Sequence, residues 1–96
     1  MLVLITYDIN TITVSGRKRL SHIAKECQNY GQRVQNSVFE CEMDAAKSRQ
    51  VKSRLLEIIN KNEDSLRIYY IGKHPENKVE HYGIKPSLNI KGTLIF

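Results

Sequence analysis

Leu2 to Tyr7 is a nearly unbroken apolar run that ends at Asp8, the pattern of a strand buried within a sheet. Side chains alternate along a strand, so Leu2, Leu4 and Thr6 share one face and Val3, Ile5 and Tyr7 the other. Helices can cover only one of these faces, and a second subunit would supply the missing cover. Further on, Leu20, Ile23, Ala24 and Cys27 fall at i, i+3, i+4 and i+7, which predicts a helix from Ser15 or Gly16 to Tyr30, stopped by Gly31. Arg33 to Met43 reads as extended, with Asn36-Ser37 either a break between two short strands or a bulge, and with Val34, Val38 and Phe39 supplying apolar contacts. Asp44 is placed to cap a second helix whose inner stripe is Val51, Leu55 and Ile58, and the polar Asn60-Lys61-Asn62 ends it. Leu66 to Ile71 follows as another strand.

Strand, helix, two strands, helix, strand is the order of a split βαβ unit. The expected class is therefore α+β, a ferredoxin-like βαββαβ antiparallel sheet with two helices on one face. Ninety-six residues make a single domain, and a chain this short buries a modest share of its surface, so a partner subunit is expected. Residues 1–72 are assigned to the core and 73–96 to a C-terminal extension that docks on the partner subunit. Its end, Thr93-Leu94-Ile95-Phe96, is too apolar to stay in solvent and is expected to form an extra strand exchanged between the two chains of a homodimer.

Charge narrows the partners. Fifteen Lys and Arg against ten Asp and Glu leave a net charge of +5, which suits a polyanion such as nucleic acid, a plain soluble basic domain being the alternative. Cys27 and Cys41 lack CxxC spacing and sit among apolar residues, so they are expected to be reduced, buried thiols of a cytoplasmic protein. The opening run is read as a strand rather than a signal or membrane segment, and no membrane partner is expected.

Asp8, at a strand end before the polar loop Asn10 to Ser15, is where a carboxylate can be rigid and still meet solvent. It could simply cap a turn. It could also hold Mg2+ (or another divalent cation such as Mn2+), which keeps several waters and takes only one or two protein carboxylates; a twofold axis would turn one Asp per chain into two ligands. Arg17, Lys18 and Arg19 crowd the first turn of the first helix, where exposed cations oppose the helix dipole by about 0.3–1 kcal/mol each. A bound phosphate would offset this, whereas the other reading is a solvated face. Arg49, Lys52 and Arg54 decorate the second helix, where Glu57 and the spacing around it suggest that some of them only solvate that helix, and none is assigned a catalytic role. His22, His74 and His81 do not combine with the cysteines in zinc spacing, and GxSxG, P-loop and GxGxxG patterns are absent. Water activated by a metal is left as the nucleophile.

Taken together, Tyr7-Asp8-Ile9, Gly16-Arg17-Lys18-Arg19-Leu20 and the string Gly31 to Glu40 resemble the CRISPR-associated protein 2 family across nearly the whole chain. The longer string Cys27 to Cys41, with Lys85-Pro86-Ser87 and Leu94-Ile95-Phe96, resembles the type I-C branch. The resemblance implies a ferredoxin-like homodimer with an exchanged C-terminal strand and a strand-end Asp from each subunit facing the other. It implies a metal-dependent endonuclease on RNA or DNA, acting in spacer acquisition for antiviral defence. Alternatively, it implies a non-catalytic DNA-binding scaffold that bridges CRISPR integrase subunits. Carried over by position, Asp8 is the catalytic residue and metal ligand, Arg17, Arg19 and Arg33 are contacts to nucleic acid (duplex DNA, single-stranded RNA or both), and Tyr7 and Phe39 neighbour the cleft. A third reading, an RNA-recognition module, lacks the Lys/Arg-Gly-aromatic strand pattern and ranks last.

Overall fold

The apolar opening run becomes β1 (Leu2–Asp8), and it takes the centre of a sheet because both its edges find antiparallel partners. In this computed structural model, which describes residues 1–72 and 78–84, α1 (Val14–Gln28), β2 (Gln32–Gln35), β3 (Val38–Glu42), α2 (Ala45–Ile58), β4 (Ser65–Ile71) and β5 (Lys78–Gly83) follow in that order. Five strands form one sheet in the order β2-β3-β1-β4-β5, every neighbouring pair antiparallel. The first four strands and two helices reproduce the ferredoxin-like βαββαβ arrangement.

Val3, Ile5 and Tyr7 of β1, Phe39 and Cys41 of β3, and Leu66 and Ile68 of β4 are buried with Ile23 and Cys27 of α1 and Val51 and Leu55 of α2. Leu2, Leu4 and Thr6, on the opposite face, are only half-buried. The inner stripe of α2 continues to Ile59 rather than Ile58: Ile59 is 7 % exposed, and Ile58 only packs partly against the core. Spacing by four from Val51 through Leu55 keeps Ile59 on the inner side as the chain leaves the helix. Val34, expected to add an apolar contact, is 46 % exposed. The β2–β3 register shifts between Arg33 and Gln35, and this bulge leaves Val34 out of the ladder.

Both helices begin on side-chain caps. Thr13 accepts from the Gly16 amide at 3.0 Å and Asp44 from the Lys47 amide at 2.8 Å. Gly31, expected to stop α1 by its backbone freedom, is not in a positive-φ conformation. Its role is close approach: a Cβ there would strike the Cys41 sulfur and the Glu40 carbonyl. Both thiols are free and buried, and burial pushes Cys27 up to about 12.

β5 was not foreseen. It lies within the stretch read as a C-terminal extension and pairs with β4 of its own chain from Ser65↔Gly83 to Tyr70↔Lys78. The expected exchanged strand, Thr93 to Phe96, lies outside the described residues. What seats β5 is Glu80, whose Oε1 accepts from Lys52 Nζ at 3.0 Å, Tyr70 OH at 3.1 Å and Tyr82 OH at 2.9 Å. Burial alone would raise this carboxyl, but Lys52 and the two tyrosines outweigh it and hold it at about 2. Burial, with Glu80 adding to it, pushes Tyr70 to about 12.

Because Glu80 titrates lower in the folded chain than its ordinary 4.5, its contribution is complete above that value and is lost as the pH falls through about 2. Urea midpoints measured from about pH 6 down to about pH 2 should therefore drop on the acid side. Glu80→Gln should flatten that drop, and an unchanged acid slope in the variant would rule this carboxylate out as its source.

Candidate functional site

Alternation along β1 decides where its last carboxylate points. Val3, Ile5 and Tyr7 enter the helix-covered core, so Asp8 shares the uncovered face with Leu2, Leu4 and Thr6. Across the register Asp8 stands opposite Ser65, and Thr6 stands opposite Arg67, which in turn faces His81 on β5. Arg67 Nε donates to His81 Nδ1 at 3.3 Å. His81 Nε2 lies 2.8 Å from the Ile84 carbonyl oxygen, and with Nδ1 accepting from Arg67 it is the ring nitrogen placed to donate there. Diagonal neighbours on one sheet face lie about 7–8 Å apart, which brings Arg67 near Asp8.

Asp8 is exposed, and among the described residues no group of three His, Cys, Asp or Glu gathers to hold a metal ion. A solvent-facing carboxylate on a rigid strand end has the donor chemistry of a magnesium ligand, which needs only one or two protein carboxylates beside its waters. One chain thus presents one carboxylate ligand.

The other candidate residues gather on the opposite side of the sheet. Tyr7 and Phe39 stack with ring centroids 6.2 Å apart, and the Arg33 guanidinium lies over the Phe39 ring at 5.2 Å. Burial raises the Tyr7 phenol above its ordinary 10.0, Cys27 adding to this and Arg33 opposing it. The hydroxyl stays protonated and reaches the Asn36 carbonyl at 3.5 Å. Tyr7, Leu20 and Ala24 give apolar surface to a hollow of about 400 Å3 that Arg17, Arg33, Ser21, Asn36 and Ser37 also line. Arg17 Nη1 donates to the Thr11 and Ile12 carbonyls at 3.1 and 3.3 Å, leaving Nε and Nη2 without a partner among the described residues.

Arg19 does something different from its neighbours. Its Nε donates to Asp64 Oδ2 at 2.8 Å, its Nη2 to Asp64 Oδ1 and Glu63, and its Nη1 to Ser15. Asp64 is fully buried and also accepts from the Asn10 amide at 2.9 Å and the Asn60 amide at 2.8 Å. Its own carbonyl takes the Ile84 amide, and Gly83, at φ +95, leaves no room for a Cβ beside that carbonyl. Asp64 therefore ties the end of β5 through its carbonyl, and the loop after β1, the start of α1 and the loop before β4 through its carboxylate. Burial works to raise it, but Arg19 and the two amides prevail and hold it below the ordinary carboxylate value.

The structure separates Asp8 from Arg17 and Arg33, which lie on the two sides of the sheet, and places Arg19 in an ion pair. Sequence reasoning missed Arg67, His81 and Asp64. For Arg67 a signal existed: in the strand Leu66 to Ile71, alternation puts it opposite in sense to Leu66 and Ile68. Asp64 follows Glu63 in a polar turn, and nothing local marks it as buried.

The family model described as CRISPR associated protein Cas2 matches residues 1–79. A protein of Halalkalibacterium halodurans named CRISPR-associated endonuclease Cas2 is 54% identical over 96 residues, covering 100% of both chains. One of Chlorobaculum tepidum named CRISPR-associated endoribonuclease Cas2 is 54% identical over 95 residues, covering 99% of both. Among solved structures, Streptococcus pyogenes Cas2 matches with a TM-score of 0.70 and 57% identity, over 75% of this chain and 87% of that one. A hypothetical protein from Thermus thermophilus matches with a TM-score of 0.65 and 32% identity, over 78% and 85%.

Removing the Asp64 carboxylate leaves two amides and a guanidinium without their acceptor, so Asp64→Ala should lose about 2–4 kcal/mol in urea denaturation. Arg19→Ala should also lower the midpoint, and the double variant should lose clearly less than the sum of the two. Strict additivity would mean the pair is not coupled.

Proposed function

The chain belongs to the Cas2 family, and on that premise we propose that it is a metal-dependent endonuclease of RNA or DNA that acts in CRISPR spacer acquisition for antiviral defence. The relatives' names, endonuclease and endoribonuclease, support hydrolysis of nucleic-acid phosphodiesters. The observation that carries the reading is Asp8, exposed at the end of the central strand on the sheet face that neither helix covers. That face is also where a homodimer would form. Leu2, Leu4, Tyr69 and Ile71 leave it half-buried and apolar, and a second copy laid on it would put the two Asp8 carboxylates near a shared twofold axis. Placement in the type I-C branch belongs to the same proposal and rests on the string Cys27 to Cys41 with Lys85-Pro86-Ser87 and Leu94-Ile95-Phe96.

Asp8 from each copy would hold the divalent cation, Mg2+ or Mn2+, which when bound supplies Lewis-acid stabilisation of the phosphate and a water of lowered pKa. Arg67, fixed by His81, lends positive charge on the same face, where a phosphodiester gains negative charge during attack. Arg17 and Arg33 grip phosphates beyond the reacting one. Arg19 positions the loop after β1 through Asp64, whose carboxylate holds the Asn10 amide two residues past Asp8. Buried free thiols suit the reducing cytoplasm, and none of the described helices is long and apolar enough to cross a membrane.

One observation favours a second reading, a non-catalytic scaffold that bridges integrase subunits on DNA: the two arginines of the hollow lie on the side of the sheet away from Asp8, so a grip on phosphates can work without the carboxylate. Asp8→Asn separates the two. The endonuclease reading expects its cleavage rate with Mg2+ to fall at least about 100-fold in a dimer that is still folded, and wild-type cleavage by the variant would sink it. Full spacer integration by the inactive variant would assign the acquisition role to the scaffold. Independently, Arg17→Ala should lower the slope of log affinity against log salt by about 1, as measured by anisotropy titrations at several salt concentrations.

A further inference from the structure

The hollow beside Arg17 and Arg33 has chemistry that gripping a continuous phosphate backbone does not require. A phosphate needs cations, whereas this hollow adds apolar surface from Tyr7, Leu20 and Ala24. Arg33, an exposed residue, joins an aromatic cluster: Tyr7 lies against Phe39, and the guanidinium lies over Phe39 at 5.2 Å and acts on the Tyr7 hydroxyl. A guanidinium is a planar group on which a nucleobase can stack, and Arg33 is exposed beside the hollow. Arg17, at the start of α1, keeps Nε and Nη2 unpartnered among the described residues while Nη1 is anchored on two loop carbonyls. It is thus a pre-positioned donor for the phosphate attached to that base. Ser21, Asn36 and Ser37 supply hydrogen-bonding groups for a base edge.

We infer that this hollow holds a single unstacked nucleotide, its base against the Arg33 guanidinium beside Tyr7 and its phosphate on Arg17. The inference rests on the preceding reading only in taking nucleic acid as the ligand; it needs neither Asp8 nor a metal. A base can leave its neighbours most cheaply in a single strand, an overhang or a mismatch, so the site gives the protein a preference for unpaired nucleotides over an intact duplex.

The test is binding in EDTA, where hydrolysis cannot contribute. Wild-type protein is titrated by anisotropy into labelled single-stranded DNA and RNA oligonucleotides, each with a matched series carrying one abasic residue, and into a blunt duplex. At the best position, an intact base should bind about tenfold tighter than its abasic counterpart, and 2-aminopurine placed there should change its fluorescence on binding. Arg33→Lys, which keeps the charge but loses the planar face, should abolish that preference. Thermal melts of the variant confirm that it is folded, and the DNA and RNA arms show which backbone carries the nucleotide. Equal binding of abasic and intact strands by wild type, tighter binding of the blunt duplex, or a preference that survives in Arg33→Lys would each overturn the assignment. A base preference with no cleavage would count against the nuclease reading alone, and cleavage with no base preference against this one alone.

Discussion

Everything in this molecule that bears on function follows from β1 being hydrogen-bonded on both edges. A strand paired on both sides cannot twist a side chain away from the face its position dictates. Tyr7 and Asp8 are consecutive, so one must enter the core while the other must leave it. The carboxylate is thereby presented rigidly to the uncovered face, and the tyrosine anchors the aromatic and guanidinium stack on the helix side. Two chemistries that are adjacent in the chain are held apart by the thickness of the sheet.

Beyond the strand end, rigidity has another source. The loop that follows Asp8 has no sheet partner, and Asp64 holds it at the Asn10 amide. Asp64 is itself fixed from three other directions, by Arg19, by the Asn60 amide and by the packing of Gly83 on its carbonyl. A buried carboxylate with this many donors is well compensated, and removing it leaves those donors short of an acceptor in a buried site. Gly16 extends the same logic: its missing side chain lets the start of α1 press against the Asn10 carbonyl, which brings Arg17 within reach of the Thr11 and Ile12 carbonyls.

What could be read from the chain alone divides along physical lines. Elements set by their own periodicity, β1, α1, α2 and β4, were legible, as were the Asp44 cap and the break at Asn36-Ser37. β5 was not, because Glu80 sits on its inward face, and a carboxylate facing inward becomes acceptable only beside Lys52, Tyr70 and Tyr82, of which Lys52 is remote in the sequence and Tyr70 lies across a register that the sequence does not state. Arg19 was grouped with Arg17 because both sit in the first turn of a basic helix. A spacing of two residues swings a side chain by about 200° around a helix, and that rotation turns one guanidinium toward Asp64 and the other toward the hollow. Asp8 as a strand-end carboxylate was visible in the apolar run before it, whereas its separation from the arginines needed the sheet.

That separation constrains how one strand of nucleic acid could use both regions. The two sides of the sheet communicate only around an edge or an end, and the end at Asp8 is the one the hollow shares, because Tyr7 lines the hollow and is bonded to Asp8. A strand whose reacting phosphate sits at Asp8 would have to turn around the loop after β1 to place a neighbouring nucleotide against Arg33. Turning a backbone that sharply requires unstacking at the turn, which a single strand permits far more readily than a continuous duplex. Arg17, tethered to that same loop by its bonds to Thr11 and Ile12, stands where the turning backbone would pass. The loop between β1 and α1 is thus the element on which any coupling between the carboxylate and the hollow depends, and the Asp64 carboxylate that holds it bears on both sides at once.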